Sequence, residues 1–433
     1  MHIVFVDSNR IGLQALRAAK RAGHQVTYVG SRRLETLVDN FDILRDPTLT
    51  DDVRVIDTAQ DEVVLLDTLR SINTNRTIDA MLTVIEVNVA AVARCAQAMG
   101  LQGTSPEAVL LSQDKALCRQ RIAEHGLNSV AYQVVDNLAD ARKAAGRIGY
   151  PMIAKPKCGA ASLRALKLEN DADLVNYFDS LNNPVEGPAG YIDAMSDETL
   201  LEYYVEGPLF SVEVAVADGD IQPLVLSWRK RCTENPAIEL GTTIPAPVPD
   251  NIRDAMFEYT THVVRACELD LGIFHIELIY GLDGPVLVEI NPRIMGGNIP
   301  AVFNLATDID PFALLIDIFL TGKLPAACRD LKAIRGAVTR SLGPKTVASL
   351  PDDFNSQNWD DSFRSLLSKY SYHYAPGMNV PDMNSTWYPY HFQLVSPSAI
   401  EASLLAEWII MTAEEKTGLD LRHSNEDYLL IKL

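Results

Sequence analysis

Apolar positions in the first 105 residues alternate between two rhythms. The short β-rich runs HIVFV, QVTYVG, RVIDT and DAMLTV are separated by helical patterns near 10–22, 61–73 and 86–99. Such a series predicts a doubly wound parallel sheet with helices on both faces and ligands at the strand ends. The first run ends at Asp7-Ser8-Asn9 and the fourth at Glu86. The first loop, DSNRIG, lacks the G-x-G-x-x-G pattern, so it gives no support for a dinucleotide site. Glu86 has two readings, a carboxylate stabilising a helix dipole or a contact to substrate.

Gly103-Thr104-Ser105-Pro106 marks a first boundary. Ser112 is then expected to cap a helix carrying Asp114 and Lys115. Taken alone, Lys115 reads as a solvated cation. VAYQVV, LADARKAAGRIG and YPMIAKP predict strand, helix and strand, with Lys155 closing the last just before Pro156. The following KCGAASLRAL is either a loop that brings backbone N–H groups near phosphate oxygens or a plain surface turn. Residues 183–198 read as a loop, TLLEYYVEG as a strand, and PLFSVEVAVADGDIQPLVLSW as a hairpin. A long Pro-rich polar loop is expected over 227–249, with Arg229, Lys230 and Arg231 either meeting an anion or decorating a surface. Helices follow at 250–268 and 309–320. Near the end, YHFQLVS is a strand. Ser398 and Glu401 form a capping box for a helix whose core side is expected to be Ile400, Leu404, Leu405, Trp408 and Met411.

The segment 271–297, LGIFHIELIYGLDGPVLVEINPRIMGG, predicts a β-hairpin. Phe274, Ile276, Leu278 and Tyr280 share one face of its first strand, and His275 and Glu277 the other. Its second strand puts Val286, Val288 and Ile290 on one face, Glu289 and Asn291 on the other. A turn near Asp283 sets Glu277 opposite Glu289, an unfavourable pairing of like charges. At ~5 Å and an effective dielectric of ~20 the repulsion is on the order of 3 kcal/mol. Two carboxylates and an amide so placed either call for a hard cation, with Mg²⁺ the usual choice beside phosphates, or form a solvated polar face.

Composition adds boundaries. The 433 residues exceed a single core and imply two to four domains. A net charge of -19 argues against nucleic acid as a partner. No apolar run approaches the ~18 residues of a membrane span, and the opening MHIVFVDSNRIG does not read as a signal peptide. Six cysteines without a C-x-x-C pair read as reduced thiols, which makes the cytoplasm the expected compartment.

Two lysines, a small-residue loop, a glutamate-led strand and a Glu/Glu-x-Asn hairpin, in that order, resemble the ATP-grasp superfamily. The match that decides it is VEINPR with Glu277 upstream. The resemblance runs from about Ser112 to Gly322 and is greatest to carboxylate–amine ligases, especially bacterial L-amino acid (dipeptide) ligases. IELGTTIPAP is similar to their E-x-G-H-x-x-P loop, and YAPGMNV with the strand and helix after it to their C-terminal subdomain. The implied fold is α/β (α+β): a pre-ATP-grasp domain (1–105), a first lobe (106–205) with a lid (156–165) and a hinge (202–205), a second lobe (206–330), and a C-terminal subdomain (331–433).

The resemblance also implies roles. Lys115 and Lys155 would hold the ATP phosphates, with Ser162 in the closing loop. Glu202, Tyr203 and Val205 would meet adenine, mostly through backbone groups, with Glu202 accepting from the exocyclic amine. Leu209 stands where many members carry a carboxylate for the ribose, so either Glu206 or Glu213 would substitute or that contact would be absent. Glu277, Glu289 and Asn291 would bind one or two Mg²⁺, or Mn²⁺. Arg293 would bind the transferring phosphoryl group and the substrate carboxylate, Lys155 would share the phosphoryl charge, and Glu239 would lie near the first substrate's amino group. Arg229, Lys230, Arg231, Thr242, Gly296, Gly297 and Glu86 are the candidate substrate contacts, with Thr242 replacing the usual loop histidine. Ala160 and Ala161 stand where Gly and Ser are usual. The expected reaction joins a small-molecule carboxylate to an amine through an acyl phosphate, releasing ADP and phosphate. A homodimer is an open option. The alternatives are another ATP-grasp ligase, or an ATP-binding sensor without catalysis.

Overall fold

The computed structural model describes residues 1–352, 354, 363–372, 375–383 and 388–424. Tyr374, the first residue of the YAPGMNV motif, lies outside them. Strands β1 (His2–Val6), β2 (Gln25–Ser31), β3 (Asp52–Ile56) and β4 (Ala80–Leu82) form a parallel sheet in the order β3-β2-β1-β4. Helices Leu13–Arg21, Glu62–Asn75 and Val89–Ala98 flank it. Ile3 and Phe5 enter one core while Val4 and Val6 enter another. Burial on both faces explains the unbroken apolar run.

A second sheet is antiparallel. It joins β5 (Tyr132–Val135), β6 (Met152–Pro156), β7 (Leu166–Leu168) and β8 (Thr199–Tyr203) in the order β5-β8-β6-β7. The third and largest contains β9 (Leu209–Ala217), β10 (Asp220–Arg231), β11 (Glu239–Ile244), β12 (Gly272–Gly281), β13 (Gly284–Asn291) and β14 (Gly336–Leu342). A small pair, β15 (Ala348–Ser349) with β17 (Asn379–Val380), stands apart, while β16 (Leu367–Tyr372) and β18 (Tyr390–Ser396) complete the large sheet. Its order is β13-β12-β9-β10-β11-β14-β18-β16. Strands on both sides of residue 330 therefore share one sheet. The class is the expected mixture of a parallel N-terminal sheet with antiparallel sheets after it. Among the described residues, no single helix is long and apolar enough to cross a membrane.

Several local expectations are corrected. Ser112 lies inside helix Pro106–Gln113, where its hydroxyl donates to the Ala108 carbonyl at 2.8 Å. Asp114 is the cap of the next helix, Lys115–Glu124, accepting from the N–H groups of Ala116 and Leu117 at 3.0 Å each. The long polar loop is shorter than expected: 227–231 and 239–244 belong to the paired strands β10 and β11, because buried ion pairs let charged residues occupy a strand interior. Helix Ile299–Thr307 precedes the expected one, which spans Pro311–Thr321. In helix Ala399–Thr417, Ser398 caps through the Glu401 N–H as expected, but the buried side differs. Small residues (Ala402, Ala406, Ala413) with Ile409 face the sheet, whereas Ile400, Leu404, Trp408 and Met411 are exposed. Small side chains let this helix lie close on β14 and β18.

Two thiols far apart in sequence meet: the Cys118 and Cys267 sulfurs lie 3.8 Å apart in the core, both free. Gly241 has φ +148, and a Cβ there would lie 2.0 Å from the Thr339 carbonyl oxygen across the β11–β14 ladder. Gly241→Ala is therefore expected to cost about 2 kcal/mol or more, read as a lowered thermal midpoint.

Candidate active site

The hairpin β12–β13 has the expected pairing of Glu277 with Glu289, and a bulge just beyond it. Ile276 pairs with Ile290 and Glu277 with Glu289, but Leu278 pairs with Leu287, leaving Val288 extra. A bulge flips the side-chain alternation. Leu287 and Ile290 therefore enter the core with Leu278 and Ile276. Val286 and Val288 line the cleft on the other side, which corrects the expected Val286/Val288/Ile290 face. The carbonyls freed at the bulge are captured by Arg119, whose guanidinium donates to Leu287 O and, at 3.0 Å, to Val288 O.

The cleft lies between this hairpin and the β5–β8 sheet, with about 1120 Å³ of empty space including its mouth. One part is largely apolar, with Ile153, Val205, Leu209, Ile279, Val286 and Val288 in its wall. The rest carries Lys115, Lys155, Ser162, Glu239, Glu277 and Glu289. Tyr203 lines it as well. Lys115 lies 3.3 Å from Glu289 Oε2 and 3.2 Å from the Gly159 carbonyl. Burial disfavours the Lys115 cation, but Glu289 outweighs it and raises its pKa. Lys155 lies 2.7 Å from Glu202 Oε2, and Arg119 lies 2.7 Å from Oε1. Both carboxylate oxygens are therefore occupied by cations. The side chain expected to accept from the exocyclic amine is thus engaged by Lys155 and Arg119. Burial pushes the Glu202 carboxyl up, yet Arg119 and Lys155 together hold it down at about 2.

Glu277 lies 3.1 Å from His275 Nε2 and 3.6 Å from Arg229, which also pairs with Glu239. His275 Nδ1 in turn meets Glu213 at 2.7 Å. Burial opposes a charged His275, but Glu213 overrides it and raises its pKa to about 9. Glu213 is fully buried beneath the hairpin and absent from the cleft wall, which overturns its expected ribose contact. Glu206 is exposed and also outside that wall.

Alternation along β10 splits the basic cluster. Arg231 reaches the cleft and donates to the Gly207 carbonyl at 2.6 Å, while Lys230 points to the opposite side and meets Glu407 at 2.6 Å. Thr242 is buried beside Arg229 in the ladder and lies outside the cleft wall. Arg293 is held by Glu86 at 2.7 Å, Asn291 Oδ1 at 3.0 Å and the Ile294 carbonyl at 2.9 Å. Burial raises the Glu86 pKa, while Arg293 acts against that shift. Thus Glu86 is both the start of a helical turn, Glu86–Asn88, and the partner of Arg293. A Cβ on Gly296 would sit 3.4 Å from Arg293 Nη1, and Gly297 has φ +54 with open space beside it.

Among the described residues, no three His, Cys, Asp or Glu side chains form a metal-holding group. Glu277, Glu289 and Asn291 supply two carboxylates and an amide oxygen. That hard-oxygen set fits Mg²⁺ bound jointly with a polyphosphate better than a cage made by protein alone. Arg119 and His275 carry much of the geometry but had no assigned role in the sequence reading. The available signal for Arg119 was its place four residues after Lys115, on the same helical face.

Residues 148–301 match the ATP-grasp domain and residues 16–103 the ATP-grasp N-terminal domain, together more than half of the chain. The chain belongs to the ATP-grasp superfamily. The L-amino acid ligase from Bacillus licheniformis shares this ATP-grasp fold with a TM-score of 0.77 and 18% identity, over 98% of this chain and 99% of that one. Carnosine synthase 1 of Gallus gallus is 28% identical over 51% of this chain and 24% of its own length. Alanine–anticapsin ligase of Bacillus subtilis is 25% identical over 57% of this chain and 54% of its own. The match thus spans about half or less of these curated relatives.

Proposed function

We propose that this protein is an ATP-dependent carboxylate–amine ligase that joins two amino acids, or an amino acid and a small carboxylic acid, through an acyl phosphate. The observation that carries the reading is one cleft in which Lys115 and Lys155 confront the paired Glu277 and Glu289. Its largely apolar part suits adenine, and backbone groups of 202–205 are its expected readers. Lys115 and Lys155 hold the phosphates and Ser162 belongs to the segment closing over them. Glu277, Glu289 and Asn291 are the residues to hold Mg²⁺, which supplies neutralising charge on the phosphates.

In the first step a carboxylate oxygen of the substrate attacks the γ-phosphorus, and ADP leaves with its bond electrons. Lys155 and Arg293 take up charge on the phosphoryl group in transit. In the second, the amine nitrogen attacks the acyl carbon, phosphate departs, and the amine loses a proton. Glu239, fixed by Arg229, is placed to receive the amino group of the first substrate. The 156–165 segment excludes water that would hydrolyse the acyl phosphate.

The relatives' names, alanine–anticapsin ligase and carnosine synthase, support amino acids as substrates. The test is ADP release across single carboxylic acids and pairs of L-amino acids, with products weighed by mass spectrometry. Release that needs two amino acids, with a product lighter than their sum by one water, is the expected result. Release driven by bicarbonate or by non-amino-acid carboxylates alone would favour another ATP-grasp ligase. ATP binding without any such release would leave a nucleotide sensor.

A further inference from the structure

Paired residues of an antiparallel ladder point to the same side of a sheet. Glu277 pairs with Ser211 and Ser211 with Ser227, so Arg229, two residues on, shares their face. The row continues from Arg229 through Thr242 and Thr339 to Gln393. The face bearing the hairpin carboxylates therefore runs on as a polar row into the strands near the C-terminus. Part of the same face is covered by helix Ile299–Thr307, whose Val302, Phe303 and Ala306 share a core with Ile244 and Ala337. The polar positions remain near the start of that helix, beside Asn298.

This polar patch is buried but loosely satisfied. Gln393 is only 2% exposed, and its side-chain Nε2 has no hydrogen-bond partner among the described residues. The Asn298 amide nitrogen lies 3.4 Å from the Tyr388 hydroxyl and 3.5 Å from His391 Nδ1. Thr339 Oγ1 lies 3.4 Å from the same ring nitrogen. All three distances are long for hydrogen bonds. Asn298 occupies the cap position of the nine-residue helix yet makes no side-chain cap hydrogen bond. At the helix start the Ile299 N–H already donates to the Gly296 carbonyl at 3.2 Å and Pro300 has no N–H, so the side chains carry the site; an unmet buried donor requires an acceptor.

The nearby cations are engaged. Arg229 is held by Glu239 and Glu277, Arg231 donates to a backbone carbonyl, and Lys230 pairs with Glu407. The basic cluster, a candidate set of substrate contacts, is thus committed to protein partners. His391 is held neutral, with a pKa pushed down to about 4 by burial and then by Lys369. Its ring can therefore share a hydrogen bond without bringing a charge.

We infer that Asn298, Thr339, His391 and Gln393, at the start of helix Ile299–Thr307, form a subsite for the carboxylate of the amine substrate. The inference rests on the ligase reading and narrows its second substrate to carboxylate-bearing amines, α-amino acids being the simplest. The loop from Arg293 to Asn298 then links phosphoryl transfer at one end to acceptor binding at the other.

The test compares three nucleophiles with one activated acid: the acceptor amino acid found in the ADP-release screen, its carboxamide, and hydroxylamine, which has no carboxylate. Wild-type protein should prefer the free acid to the carboxamide at least tenfold in kcat/KM. Gln393→Leu and Thr339→Val should raise KM for the amino acid about tenfold and remove that preference. KM for ATP and hydroxamate formation from hydroxylamine should remain unchanged. If Gln393 were merely structural, replacing an unpartnered buried amide by leucine would leave KM intact, and the inference would fail. It would fail equally if hydroxamate formation dropped in parallel, or if the wild type accepted the carboxamide as well as the free acid. Absence of hydroxamate with every acid tried would instead overturn the ligase reading, and the subsite with it.

Discussion

Glu289→Ala is expected to lower substrate-dependent ADP release by about 10³-fold while leaving the protein folded. Glu289 faces Glu277 across the ladder and holds Lys115 at 3.3 Å. It thus serves the proposed Mg²⁺ site and the phosphate lysine together. Its side chain retains 30% exposure, so its loss leaves a partly hydrated space and not a dry cavity. Lys115 keeps its contact to the Gly159 carbonyl. A stability cost of about 1–2 kcal/mol follows, small beside the loss of rate. Glu289→Gln keeps the shape and removes the charge, so it should fare almost as badly in ADP release. Near-normal turnover in either variant would remove Glu289 from the metal site.

Much of this arrangement was legible because its signals are local. Alternation along 271–291 gave the hairpin and the Glu277–Glu289 pairing, and the strand–helix rhythm gave the parallel sheet. Several failures share a cause: charge buried by long-range pairing. Arg229 and Lys230 looked like loop cations because their partners, Glu277 and Glu407, lie 48 and 177 positions away in sequence. Glu213 looked available for a ribose because nothing local reveals that His275 will occupy it. The bulge at Val288 was also invisible, since strict alternation is the simplest reading of an apolar strand. In the final helix, apolarity alone chose the wrong side. Close packing favoured alanines, leaving Leu404 and Trp408 exposed.

Glu202→Gln is expected to destabilise the protein by about 3–5 kcal/mol at neutral pH, because it breaks a buried ion triad from its centre. Arg119 and Lys155 approach separate oxygens of Glu202, all three side chains being at most 10% exposed. An amide can accept from one cation through its oxygen, but it turns an N–H toward the other. The damage should spread through Arg119, which also holds the bulge carbonyls of Leu287 and Val288. The pH dependence has a definite sign. The folded-state carboxyl titrates at about 2, below its ordinary 4.5. Its contribution is therefore complete above pH 4.5 and is lost as pH falls toward 2. Urea unfolding at pH 7 and across pH 4.5 to 2.5 should show that wild-type stability falls through this acid window and that Glu202→Gln lacks this component of the decline. The same variant separates two roles for the residue. If the carboxylate read the adenine amine instead of holding the triad, the variant would raise KM for ATP at unchanged stability. A loss of stability in the ligand-free protein would make Glu202 the group that fixes Lys155, the lysine proposed to meet the γ-phosphate.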